Sequence, residues 1–339
     1  MLTPSTPAEL ADALASAAAR GQSISLGGNF TKTIPRGDCV VSTRALKRVL
    51  IFEPKDLTVS VEAGMPYAEL TRLLDEHRMM VPLDPPLADS ATVGGVIAAN
   101  RSGPRRRLYG TARDLVIGMS FAMLDGKIAS TGGMVVKNVA GLDMGKLLIG
   151  SRGTLAAIAS VNFKLIPKPP ESRTFLFQSD SLEAVLAKRD AVLRSPLQPA
   201  AIDVLSPPVA RACGLDGWCL LLDVGGSPAV LARYSRELPE FSIADPNVWN
   251  SIRELAPRHL GMEWAIERRH LLMELGDTLR NWNGPALARA GSGVTYLFGK
   301  GPEPSVWPDP GPEFAVMRRI KDMFDPQGLL NRGALYGRL

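Results

Sequence analysis

Residues 82–103 read PLDPPLADSATVGGVIAANRSG, and this stretch decides how the rest of the chain is understood. Its prolines hold the first part extended, Ser90 or Thr92 supplies an N-cap, and Gly94-Gly95 opens a short helix. Glycines there let the backbone approach another surface closely, and a helix start beside them is an anion-binding arrangement. Upstream, LGGNFTK (26–32) places a glycine pair directly after a strand-like run. Such a pair either forms a nest of converging N–H groups for phosphate or turns a hairpin. Downstream, GPRRRLYGTARDLVIGM (103–119) and VVKNVAGLDMGKLLIGSRGTL (135–155) again set glycine turns beside polar side chains and helix starts, with Asp143 as a cap. Four such segments describe a ligand threaded along a groove. GGNFTK has neither the third glycine of G-x-G-x-x-G nor a GK[ST] ending, and Pro35 blocks the helix those motifs need, so Rossmann and P-loop readings fail.

Around this region the patterning is α+β. Thr6, Pro7 and Glu9 predict a capping box and a first helix stopped by Gly21, with Leu10 and Leu14 inward. SISL (23–26), CVVS (39–42) and LTVSVEAG (57–64) read as strands, and a second helix after Pro66 buries Leu70, Leu73 and Leu74. TLAAIASVNFKLIP (154–167) reads as a long strand, and KPPE (168–171) marks a boundary. Beyond it, FLFQ, a helix from Asp180, AIDVL, CLLLDV and a helix capped by Ser227 repeat a strand-helix grammar that predicts a ferredoxin-like antiparallel unit. EFAVMRRIKDMF (313–324) is a last helix before the tail DPQGLLNRGALY. The expected division is 1–170, 171–312 and 313–339, the last segment returning to the first.

The chain has 339 residues, of which 45% are hydrophobic and 22% charged, which excludes disorder. Its 39 Lys and Arg against 34 Asp and Glu leave a net charge of +5, too little and too unclustered to indicate nucleic acid. Cys39, Cys213 and Cys219 fit neither a disulfide framework nor a metal site, which points to a reducing compartment. MLTPSTPAEL lacks a basic and then apolar leader, and no apolar run reaches the length of a membrane span. A cytoplasmic protein is expected, touching the inner membrane only through partners.

GGNFTK, PPLADSATVGGVIAANRSGPRR, YGTARDLVIGM, VKNVAGLDMGKLLIGSRGTL and FDPQGLLNRG together resemble the FAD-binding, PCMH-type domain of the vanillyl-alcohol oxidase-like flavoproteins, and within it the FAD-binding subunits of bacterial glycolate oxidase complexes. The resemblance implies two α+β subdomains forming a PCMH-type domain, followed by a smaller, truncated ferredoxin-like cap. It implies non-covalent FAD, no metal, and backbone contacts to the pyrophosphate from Gly27, Gly28, Asn29, Phe30 and Thr31. Pro85, Ser90, Thr92, Gly94 and Gly95 would line the flavin site, with Asn100, Gly103, Gly110 and Asp114 around it and Ile158 near the adenine end. It further implies a catalytic FAD subunit and an iron–sulfur subunit as partners, a small 2-hydroxy acid as substrate, and oxidation of glycolate to glyoxylate.

The sequence departs from catalytic relatives in its histidines. Only His77, His259 and His270 occur, none in an H-x-H pair, and Arg152 replaces the acidic residue of the G-S-E-G turn. No catalytic residue is assigned. The alternatives are a non-catalytic scaffold on the same fold, or a stand-alone FAD-linked oxidase of another small alcohol or acid. Arg105, Arg106 and Arg107 either neutralise phosphate or form a contact surface. Valine at Gly28 or Gly94 is expected to abolish flavin retention with little unfolding, by blocking backbone approach to the ligand.

Overall fold

The computed structural model describes residues 1–31, 33–134, 143–258, 260, 262–301 and 311–339. The segment VVKNVAGL that carried part of the resemblance, and His259, lie outside the described residues.

Helix α1 (Pro7–Ala19) starts where Thr6 accepts the Glu9 N–H, but the box is not reciprocal, because the Glu9 carboxylate turns instead to the N–H and hydroxyl of Ser5. Strands β1 (Ile24–Gly27) and β2 (Cys39–Ser42) pair in parallel, so the loop leaving β1 stands beside the end of β2 at Ser42. Next come β3 (Val49–Glu53), β4 (Thr58–Glu62), α2 (Tyr67–Glu76), the short β5 (Met79–Met80), α3 (Val93–Ala99), α4 (Arg106–Tyr109) and α5 (Ala112–Leu115). Then follow β6 (Val116–Ala122), β7 (Ile128–Gly132), α6 (Met144–Leu148), β8 (Ala157–Lys164) and β9 (Ile166–Pro167), which pairs with β5. An antiparallel sheet forms in the order β3-β4-β8-β6-β7. Val59, Val61, Val161 and Phe163 of that sheet pack with Leu70 and Leu74 of α2 and with Val96 and Ile97 of α3. A second cluster joins Leu10 and Leu14 of α1 to Ile24, Val41, Ala157, Ala159 and Leu330. Strand β3 carries no buried alternation, since Val49, Leu50 and Ile51 are all exposed at the sheet edge, and sequence patterning passes over it.

The second sheet begins with β10 (Glu171–Ser179), α7 (Leu182–Arg194), β11 (Ala201–Leu205), α8 (Pro207–Ala212), β12 (Trp218–Gly226), α9 (Pro228–Glu237) and β13 (Ser242–Ala244). These strands stand in the order β13-β10-β12-β11, all antiparallel, which is the ferredoxin-like arrangement with α8 inserted in its hairpin. After α10 (Val248–Arg258), β14 (Trp264–Arg269), α11 (Leu275–Arg280), β15 (Ala286–Arg289) and β16 (Val294–Gly299) continue the sheet beyond β11 to seven strands. Helix α12 (Glu313–Phe324) then leads the chain back to the first half, where Leu330 bridges Ile24 in parallel. No described helix is long and apolar enough to cross a membrane.

Candidate cofactor cleft

Three pieces of chain meet in a cleft of about 800 Å³, counting the space open to solvent. One wall is the loop leaving β1, with Gly27, Gly28, Asn29, Phe30 and Thr31; another is α3, with Thr92, Gly94 and Gly95; Ile158 of β8 lies between them. Sequence reasoning singled out all of these residues, and the fold brings them together.

The two glycine pairs do different work. In the β1 loop, the N–H groups of Gly28, Asn29 and Phe30 have no partner among the described residues, while the loop is fixed from outside by Ser42 donating to the Gly28 carbonyl at 2.7 Å and by Asn29 donating to the Ser90 carbonyl at 2.9 Å. Unsatisfied amides on a concave wall are an anion cradle. The α3 start was expected to be a second one, and here the structure corrects the reading. Val93 donates to the Met65 carbonyl, Gly94 to the Ala63 carbonyl, Gly95 to the Thr92 hydroxyl and Val96 to the Thr92 carbonyl, so the first-turn amides are spent inside the protein. Gly94 is small for the sake of Ala63: a Cβ there would stand 2.7 Å from the Ala63 Cβ.

Six of the expected site residues do not line the cleft. Pro85 is buried, and Ser90 supports Asn29 through its carbonyl. Asn100 ends α3 in the left-handed region at φ 46°, and its buried Oδ1 has no partner. Gly103 is pressed against Asp84, its N–H donating to the Leu83 carbonyl at 2.6 Å. Gly110 takes a positive φ of 80° beside the Asp114 carboxylate, which itself accepts the Thr111 N–H at 2.8 Å to cap α5. Arg105, Arg106 and Arg107 also stay off the lining. Arg105 bridges Asp84 at 3.3 Å and Asp223 at 3.0 Å, and Arg107 donates to the Pro199 carbonyl at 2.8 Å, so this run is a contact between the two halves.

Sequence reasoning missed Leu26, Thr33, Thr43, Ala98, Ala99, Arg101, Arg152, Gly153 and Ala156 as lining residues. Ala98 and Ala99 were legible as the next turn of the helix opened by Gly94 and Gly95. Thr43 arrives through long-range pairing, which leaves no local signal, whereas the Arg152–Gly153 turn lies in the fourth glycine segment without being assigned to the lining. Arg101 and Arg152 give the cleft its charge. Arg101 pairs with Glu267 of β14 at 2.9 Å; burial pushes the Glu267 carboxyl up, but Arg101, Arg269 and Arg106 outweigh it and hold it below its ordinary value. Of the described histidines neither reaches the cleft. His77 is exposed with its ring edge-on to Phe52, and His270 engages the Thr295 hydroxyl at 2.8 Å and the Leu271 carbonyl at 2.9 Å. Cys39 is buried in the α1 cluster, away from the lining. The β1-loop amides and two guanidinium groups fit a dinucleotide diphosphate.

The fold is α+β and of the PCMH type found in FAD-binding domains. Residues 1–132 match the FAD binding domain family, and residues 310–335 match the C-terminal domain of FAD linked oxidases. Over 320 residues the chain is 27% identical to glycolate oxidase subunit GlcE of Escherichia coli (strain K12), covering 88% of this chain and 87% of that one. It is 31% identical over 189 residues to glycolate oxidase subunit GlcD of Bacillus subtilis (strain 168), which is 56% of this chain and 40% of the relative. Among solved structures, an alkyldihydroxyacetonephosphate synthase superposes with a TM-score of 0.73 at 15% identity, covering 96% of this chain and 75% of that one, which establishes shared fold. The chain is an FAD-dependent oxidoreductase component, similar along most of its length to GlcE.

Proposed function

We propose that this chain is the FAD-carrying subunit of a glycolate-oxidising complex, acting on the CH–OH group of a small 2-hydroxy acid. The observation that carries the reading is the β1 loop, which lines the cleft and whose Gly28, Asn29 and Phe30 amides have no partner among the described residues, in a chain that aligns with GlcE over 88% of its length. Bound FAD supplies a two-electron acceptor for the C2 hydride of glycolate as the hydroxyl proton leaves. The amides of Gly28, Asn29 and Phe30 would hold its pyrophosphate, and Arg101 and Arg152 would offset the charge. Neither His77 nor His270 is placed to take the hydroxyl proton, so a catalytic flavoprotein partner contributes that base, and an iron–sulfur partner receives the electrons. On this reading residues 1–170 form the FAD-binding unit, 171–312 the cap, and 313–339 the returning segment; Pro85, Asn100, Gly103, Gly110 and Asp114 shape the site from behind. The complex works in the cytoplasm, with any membrane contact made by partners.

Purification of the full chain, alone and co-expressed with candidate partner subunits, tests this. A yellow protein whose flavin bleaches with glycolate only in the complex is the expected result. Bleaching by glycolate in the isolated chain would move the base into this subunit. A colourless chain that takes up no FAD on reconstitution, yet holds its partners together, would establish a scaffold instead.

A further inference from the structure

We propose that Asn331, in the tail and distant in sequence from the cleft's lining residues, is a positioning residue for FAD that clasps two segments of the lining with one carboxamide. Its Oδ1 accepts the Leu26 N–H at 2.7 Å, while its Nδ2 donates to the Leu26 carbonyl at 2.9 Å and to the Arg152 carbonyl at 2.7 Å. Leu26 and Arg152 both line the cleft. Leu26 opens the loop whose amides stay free for phosphate, and Arg152 begins the Gly153 turn, so this side chain sets the gap between them.

The tail that presents Asn331 is itself anchored. Ile24 and Asn331 exchange backbone bonds with it, Ile24 N–H to the Leu329 carbonyl at 2.8 Å and Asn331 N–H to the Ile24 carbonyl at 2.9 Å. Below, Lys321 is buried and donates to Asp325 at 2.5 Å, to the Thr154 carbonyl at 2.7 Å and to the Leu330 carbonyl at 3.1 Å, while Asp325 accepts the N–H groups of Leu329 and Leu330. Asn331 also adopts a left-handed φ of 41°, a conformation asparagine tolerates better than most residues. The chemistry demanded of the side chain is specific: one acceptor and two donors on a short stem, which a carboxamide supplies and a carboxylate does not.

This role rests on the flavin reading of the cleft, and the experiment separates the two. The full chain is stripped of flavin and titrated with FAD, following the quenching of flavin fluorescence, for the wild type, Asn331→Asp and Asn331→Ala. Amide hydrogen exchange is measured on the same samples. Both variants are expected to bind FAD at least tenfold more weakly at pH 8, with faster exchange confined to peptides around residues 24–31 and 150–154. In Asn331→Asp the new carboxyl faces two carbonyl oxygens, which favours its protonated form and regains one donor. Lowering the pH to 5.5 is therefore expected to recover several-fold of the lost affinity in Asn331→Asp but not in Asn331→Ala. Affinities within twofold of wild type, exchange accelerated across the whole molecule, failure of both variants to fold, or no pH-dependent recovery would each overturn the positioning role. A wild-type chain that takes up no FAD would overturn the flavin reading itself, and with it this role.

Discussion

Gly28 and Gly94, from two segments of one cleft, answer to the same steric constraint. A Cβ at Gly28 would come within 2.0 Å of the Thr92 hydroxyl, the group that caps α3, and one at Gly94 would press on Ala63. Both positions are therefore close approaches within the protein. The expectation that valine would expel flavin with little unfolding changes accordingly: Gly94→Val is expected to cost about 1–3 kcal/mol of stability even without cofactor, through overpacking. Thermal unfolding of the flavin-free protein checks this, and an unchanged midpoint would restore the ligand-approach explanation. The β1 loop was readable because glycines after a strand free backbone donors, a local signal. Thr43 was not readable, because its place in the lining depends on which distant strands pair; the Arg152–Gly153 turn was visible as a glycine segment but not assigned to the cleft.

Helices α1 and α9 follow their caps and apolar spacing closely, because each of those signals lies within a few residues of the element it sets, whereas α2 and α12 start without a side-chain cap and Lys321 is the residue α12 buries. The edge strand β3 escaped, since its register is fixed by pairing with β4 and not by burial. The second sheet holds a charge pair that patterning disguised. Asp203 sits in the apolar run AIDVL, wholly buried, and pairs with Arg289 of β15. Burial pushes the Asp203 carboxyl up to about 6, with Arg289 opposing. A group whose folded value is raised contributes stability at low pH and loses it as pH climbs through that value. The stability of the wild type relative to Asp203→Asn is thus expected to fall between about pH 4 and pH 6, by a few kcal/mol at most. Paired melting curves across that range check it, and a difference that grows with pH would refute the assignment.

Across the whole molecule, the two sheets are joined by charge. Arg105 lies between Asp84 and Asp223, Arg101 reaches Glu267, and Glu254 of α10 accepts the Leu87 N–H at 2.9 Å. Replacing Arg105 by methionine leaves Asp223 without its cation and Asp84 with only Arg253 at 3.7 Å, and stranding a partly buried carboxylate in this way costs on the order of 1–3 kcal/mol. Denaturant unfolding of Arg105→Met is expected to begin earlier and to split into two steps as the halves part. A single transition at the wild-type midpoint would show that the apolar contacts suffice. The βαββαβ grammar of the second half was legible strand by strand, whereas its extension to seven strands and its attachment to the first half were not, because arginine runs look alike whether solvated or bridging. The tail's hold on Leu26 links positions 305 apart in the chain. During synthesis, then, the ribosome releases the β1 loop long before the asparagine proposed to steady it has been translated, and on that proposal cofactor capture has to wait until residue 331 has emerged.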